Sequence, residues 1–220
     1  MLYTIFKETL KGKSLERTLQ NLALGSITLS GSGIDLGCCS NKSSYYRFLK
    51  QEAGTKILFT DLYPQSAGVL KVDLEKPLPV PDESQDFLLL NNVLEHLYDY
   101  RTCVEQCFRV LKTGGKLIGV VPFLHRIHLD PDDHFRYTDS TLKRLFTEAG
   151  FKSVKVQALG FGPFSTSAAQ CAMLFPVKIF IAFLYISTIC FDLFLNKIFK
   201  KNQALQAHNY PLNYFFVCQK

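Results

Sequence analysis

Glycine is scarce at the one place where a nucleotide-binding turn would need it. The stretch GIDLGCCSN (33–41) carries an apolar run with an acid into Gly37, then offers Cys38, Cys39, Ser40 and Asn41 instead of further glycines. A dinucleotide pyrophosphate wants the spacing G-x-G-x-x-G, so its absence disfavours a nucleotide-dependent oxidoreductase. Paired CxxC spacing is also missing, and the seven cysteines are odd in number. That argues against a zinc knuckle or a disulfide framework and for free thiols in a reducing compartment. The net charge of +6 is not concentrated in a Lys/Arg block and has no basic–aromatic interleaving, so nucleic acid is not an expected partner. Near the N-terminus Lys7 and Glu8 interrupt any signal-peptide core. The expected location is cytoplasmic, on the inner face of the membrane if a membrane is involved.

What is present is a chain with 47% apolar and 20% charged residues, the balance of a folded globular domain. Leu2, Ile5, Phe6 and Leu10 recur at helical spacing, predicting a leading amphipathic helix within residues 1–30. Apolar runs then alternate with helical patterns. Strands are expected at about 33–37, at KILFTD (56–61), near 69–73, at DFLLLNN (86–92), KLIGVVPF (116–123), KSVKVQAL (152–159) and NYFFVCQK (213–220). Helices are expected over SSYYRFLKQEAG (43–54), from Val93 to Leu111 before Gly114-Gly115, and at 139–149 behind a Thr138 cap. Such alternation predicts an α/β fold: a doubly wound, mostly parallel, seven-stranded Rossmann-like sheet in one domain spanning 1–220. In these sheets ligands bind beyond the carboxyl ends of the strands.

Acids stand in register there. Asp35 lies at the end of the first strand, Asp61 ends the second and Asp73 ends the third, with Asn91 and Asn92 after the fourth. A carboxylate can accept both hydroxyl hydrogens of a ribose diol, so three aligned acids favour a nucleoside-containing ligand over three unrelated turns. Gly37 lets the backbone approach such a ligand closely.

GIDLGCC, ILFTDLYP, KVDLEKPLP, the block from DFLLLNNVLEHL to KLIGVVPF, and FTEAGF resemble successive motifs of the class I S-adenosylmethionine-dependent methyltransferases, closest to the branch acting on small molecules, quinones and glycans. The resemblance covers about 31–160 and implies the cofactor S-adenosylmethionine. It implies that Asp35 and Gly37 hold the methionine end and that Asp61 takes the ribose hydroxyls, with Leu62 on the adenine. Asp73 would face the adenine amine beside Leu74, and Asn91 would offer its carbonyl to the methionine ammonium. Cys39 occupies a position where the family usually has glycine; a small thiol there is expected to be tolerated with the cofactor slightly displaced, and loss of cofactor binding is the competing outcome.

After the fifth strand, PFLHRIHLDPDDHFRYTD holds His125, His128 and His134, with Asp130, Asp132, Asp133 and Arg136. Three readings stay open: a structural loop in which Asp133 pairs with Arg136, a substrate loop in which His128 is the catalytic base, or a divalent metal site joined by the Glu-His pair of LEHL. Asn92 stands where metal-binding relatives have another acid, so no metal is expected. Residues 163–205 exceed the usual connection before the last strand (212–220). They contain thirteen consecutive uncharged residues, Ile179 to Phe191, between Lys178 and Asp192. A spanning helix needs about twenty apolar residues, and a single crossing would strand NYFFVCQK away from the sheet. The expectation is therefore a helix or hairpin on a membrane surface, with a homodimer contact through 171–200 or a cover helix as the other reading. The combined expectation is O-methylation of a small-molecule, glycan or lipid-linked acceptor; the rival is a non-catalytic scaffold of the same fold at the membrane surface.

Overall fold

Seven strands form a single sheet. They are β1 (Ser32–Leu36), β2 (Lys56–Asp61), β3 (Val69–Lys71), β4 (Gln85–Asn91), β5 (Leu111–Pro122), β6 (Ser153–Leu159) and β7 (Asn213–Gln219). Their spatial order is β3-β2-β1-β4-β5-β7-β6. The first five run parallel, and β7 is antiparallel to both β5 and β6. This computed structural model describes residues 1–38, 43–199 and 205–220. The expected α/β fold with a seven-stranded, mostly parallel sheet is observed, and the last strand does return to complete it.

Both faces of the sheet are covered, which is why β4 reads as an unbroken apolar run. Successive side chains of a strand point to opposite faces. Leu88 and Leu90 therefore join Ile34, Leu117 and Val121 beneath α3 (Tyr100–Val110) and α4 (Asp139–Glu148). Phe87 and Leu89 join Ile118 and Val120 on the other face. That face is covered by α1 (Leu2–Leu10), α2 (Leu15–Leu24), α5 (Pro163–Cys171) and α6 (Lys178–Ile198). Each fully buried Leu or Phe contributes about 1.5–3 kcal/mol of transfer free energy.

Several boundaries differ from the expected ones. The leading helix is two helices: the chain turns at Gly12 (φ 84°), and Ser14 caps α2 by accepting the Arg17 N–H at 3.2 Å. The segment 43–54 is not an α-helix. It forms a single 3-10 turn, Ser44–Arg47, and then Lys50–Gln51 extends to pair with Thr28–Leu29. Tyr45 and Tyr46 are turned in toward Asp35, a tertiary demand that helical periodicity cannot encode. The helix expected from Val93 begins only at Tyr100, because Asn92 has φ 53° and Leu97 is extended. Leu94–His96 is a separate 3-10 turn, and Asp99 caps α3 through the Thr102 N–H. α4 starts behind its Thr138 cap as expected.

The insertion folds as α5, a single turn at Ala172–Leu174, and α6. By length and composition α6 is apolar enough to cross a membrane. Its inward stripe is Ala182, Tyr185, Ile189 and Asp192, spaced by three and four residues as one helix face demands. Asp192 is 1% exposed and closes the first turn of α5, accepting the Phe164 N–H at 3.1 Å and the Ser165 N–H at 2.7 Å. Gly162 makes the approach possible: a Cβ there would lie 2.6 Å from Asp192 Oδ1. Phe180, Phe183, Phe191, Leu193 and Phe194 face outward.

Candidate active site

A cavity of about 450 Å³ opens at the carboxyl ends of β1, β2 and β4, the position a doubly wound sheet reserves for ligands. Its walls include Gly37, Asp61, Leu62, Asp73, Leu74 and Val93. Five of the eight residues expected to bind cofactor are therefore brought together: Gly37, Asp61, Leu62, Asp73 and Leu74. Gly37 has φ +69°, and a Cβ there would sit 2.6 Å from Val93 Cγ2, so the backbone comes this close only as glycine. Asp61 accepts the Tyr63 N–H at 2.8 Å. Asp73 accepts the Glu75 N–H at 3.0 Å and pairs with Lys76 at 3.0 Å, and the Lys76 ammonium holds its carboxyl below the usual range.

Asp35 and Asn91 depart from expectation. Neither is on the cavity wall. Asp35 is 1% exposed, and one carboxyl oxygen accepts both the Tyr45 hydroxyl and, at 2.6 Å, the Tyr46 hydroxyl. Burial pushes its pKa up to about 6 against the lowering effect of those hydrogen bonds. The tyrosines are the reason: Asp35 sits in register with Phe59 and Leu89, and Tyr45 and Tyr46 fold back over that stretch and enclose its carboxyl. Asn91 lies near the Tyr45 hydroxyl, with both polar atoms of its amide buried and unpaired among the described residues. Asn92 lines the cavity in its place, its amide exchanging hydrogen bonds with Gln20 at 3.0 and 3.1 Å. The N–H groups of Gly37 and Cys38 both donate to the Thr60 carbonyl, at 2.9 and 3.0 Å, so they are not aimed at a ligand. Cys39 lies outside the described residues.

The histidine loop forms the opposite wall. Asp130, Asp132 and His134 face the cavity, with His96 from the turn after β4. The loop is pinned by Glu95, whose carbonyl accepts the His134 N–H at 2.8 Å, and by Asp133, which accepts the His128 N–H at 2.8 Å and holds Arg136 at 2.7 Å. That ion pair, expected under the structural reading of the loop, is present. His128 is not on the large cavity. It lines an adjoining space of about 110 Å³ together with Asn92 and His125.

His128 also meets Glu95, which sequence reasoning raised only as half of a possible metal pair. The Glu95 carboxyl is fully buried and without a hydrogen-bond partner among the described residues, 3.8 Å from both His96 Nε2 and His128 Nε2. Burial pushes Glu95 up to about 8. Burial and the neighbouring His96 hold His128 below its ordinary value, while burial and His128 bring His125 down to about 4. Among the described residues, Glu95, His96 and His128 present ligand atoms within 4.8 Å of one another and could take a divalent ion; the Asn92 amide is hydrogen-bonded to Gln20. The signal for Glu95 and His96 was their place directly after a strand end, a position where side chains reach the site.

The fold is similar to that of solved S-adenosylmethionine-dependent methyltransferases. Residues 34–119 match the methyltransferase domain family. A probable S-adenosylmethionine-dependent methyltransferase of Mycobacterium tuberculosis is 34% identical over 109 residues, 46% of this chain and 38% of that protein. The chain thus spans well under half the length of that curated relative. An S-adenosylmethionine-dependent methyltransferase from Archaeoglobus fulgidus superimposes with a TM-score of 0.60 at 18% identity, covering 99% of each chain. The 4+2 cyclase SpnF superimposes at 0.56 and 14% identity, covering 93% of this chain and 81% of its own. One fold carries more than one chemistry, so the activity rests on the site.

Proposed function

We propose that the protein transfers a methyl group from S-adenosylmethionine to a hydroxyl of a lipid-linked or glycan acceptor at a membrane surface. The observation that carries the reading is the convergence of Gly37, Asp61, Leu62, Asp73 and Leu74 on one cavity, whose volume lies within the ~300–1,000 Å³ of small-molecule sites. Asp61 would take the ribose diol, Leu62 and Leu74 would pack on the adenine, and Asp73 would face its amine. The cofactor, when bound, supplies an electrophilic methyl on a sulfonium. The protein aligns the acceptor oxygen with it, a geometric contribution that accounts for much of such catalysis. His128, whose lowered pKa favours the neutral imidazole, takes the hydroxyl proton, with Asp133 anchoring its backbone N–H.

The membrane reading is supported by the outward apolar face of α6 and by the buried Asp192, whose cap on α5 suits a helix lying on the fold better than one crossing a bilayer. Calorimetry with S-adenosylhomocysteine tests the core of the proposal. Asp61→Ala should weaken binding by about 1.5–3 kcal/mol, the range for hydrogen bonds to a charged group. No binding to the unaltered protein would leave the scaffold reading. His128→Ala should lower turnover about a hundredfold while cofactor affinity stays constant; a fall in melting temperature with activity per folded molecule preserved would make the loop structural.

A further inference from the structure

A second cavity of about 420 Å³ lies between the α1–α2 connection and the start of α6. Its floor is apolar, built from Ala169, Ala172, Ile181 and Tyr185, and its rim carries Lys13, Arg126 and Lys178. Among the described residues none of the three has an ion pair within 4.0 Å, although Arg126 is near enough to Glu16 to lower the proton affinity of its carboxyl. Lys178 Nζ stands over the turn, 3.4 Å from where a Gly12 Cβ would be. It is also the first residue of a 21-residue helix with no side-chain cap, so the positive end of the α6 dipole adds to the lysine charge.

Glu16 is an independent indication of a ligand. It is 6% exposed, its Oε2 is buried without a hydrogen-bond partner among the described residues, and it lines this cavity. Burial raises its pKa, while the Ser14 side chain and the nearby Arg126 act in the opposite direction. A buried polar atom left unpaired costs about 1–3 kcal/mol, and a polar ligand would recover it.

The cavity is also placed for the reaction. The 110 Å³ space that holds His128 shares Glu16 and His125 with the cationic cavity and Asn92 with the cofactor cavity. On the outer side, Met173 (64% exposed) and Phe175 line the mouth, and Leu174 (74% exposed) stands beside them. The cationic cavity, the space beside His128 and the cofactor cavity are therefore successive neighbours that share walls.

We propose that this cavity binds the phosphate of an anionic amphiphile, with the alkyl chain leaving over Met173, Leu174 and Phe175 and the hydroxyl-bearing head reaching His128. This rests on the methyltransferase reading above and gives it an acceptor class, a phosphate-linked lipid. Three cations around one cavity match a phosphate, and the apolar exit matches a chain that a free phosphate lacks.

The probe is octyl phosphate, titrated into the full chain by calorimetry beside octyl glucoside, inorganic phosphate and S-adenosylhomocysteine. Octyl phosphate should bind saturably, at least tenfold more tightly than either the neutral glucoside or inorganic phosphate. Arg126→Gln with Lys178→Gln should weaken it at least thirtyfold with the circular dichroism spectrum and S-adenosylhomocysteine affinity unchanged. Lys13→Gln alone, on a surface turn, should weaken it about threefold and serves if the double variant fails to fold. Equal affinity for inorganic phosphate, or octyl phosphate binding indifferent to these substitutions, overturns the amphiphile site. Loss of the cofactor reading is separately visible: octyl phosphate binding without S-adenosylhomocysteine binding would sink the methyltransferase assignment and leave the amphiphile site standing.

Discussion

Replacing Asp192 with alanine should uncouple α5 from α6. The carboxyl accepts two backbone N–H groups, from Phe164 at 3.1 Å and Ser165 at 2.7 Å, in surroundings where Asp192 and Ser165 are both almost fully buried. Hydrogen bonds to a charged group contribute about 1.5–3 kcal/mol each, and the two N–H groups left without a partner add a desolvation cost. The bonds share one side chain and are not additive, so the expected loss is about 3 kcal/mol. For a chain of this size that corresponds to a fall in melting temperature of roughly 6–12 °C. Asp192→Asn keeps one acceptor oxygen and should lose about half as much. Urea denaturation followed by circular dichroism measures both variants against the unaltered protein. A loss under about 1 kcal/mol for Asp192→Ala would show that the cap contributes little. The account of α6 as a helix fastened to the fold would then fail.

Glu95 should make stability fall with rising pH. Its folded pKa of about 8 lies above the model-peptide value of 4.5, so its contribution is fully present below pH 4.5 and is lost as pH rises toward 8. The difference of about 3.5 units corresponds to an upper bound of about 5 kcal/mol. Glu95→Gln should therefore gain on the unaltered protein between pH 5 and pH 8 in urea midpoints, and parallel pH profiles would refute the assignment. Gly37→Ala forces a side chain into φ +69° with its Cβ 2.6 Å from Val93 Cγ2. It should cost about 1–3 kcal/mol and reduce S-adenosylhomocysteine affinity; an unchanged melting temperature and affinity would show that the turn relaxes freely.

The sequence by itself determined the fold class, because its signals are local. A doubly covered strand reads as a continuous apolar run, and DFLLLNN is one. KILFTD, KSVKVQAL and NYFFVCQK fall within a residue of β2, β6 and β7. Thr138 marks its helix by a cap that needs only the next three residues. Residues at strand ends were also legible as site candidates, since chain order alone brings Gly37, Asp61 and Asp73 to the same edge of a parallel sheet.

Tertiary structure decided what lies beyond a few residues' reach. Whether Asp35 faced the ligand depended on two tyrosines ten and eleven positions later folding back on it, and helical periodicity had assigned those tyrosines elsewhere. Asn92 rather than Asn91 reached the cavity because a positive φ turns the chain there, and Gln20, seventy-two residues away, holds its amide. Asp192 looked like the end of an apolar run and is instead the cap of another helix. Glu95 and His128 stand thirty-three positions apart in the chain, and burial sets the proton affinity of both. Hydrophobic pattern and caps act between neighbours in the chain, whereas desolvation and long-range hydrogen bonds exist only once the fold has brought distant residues together.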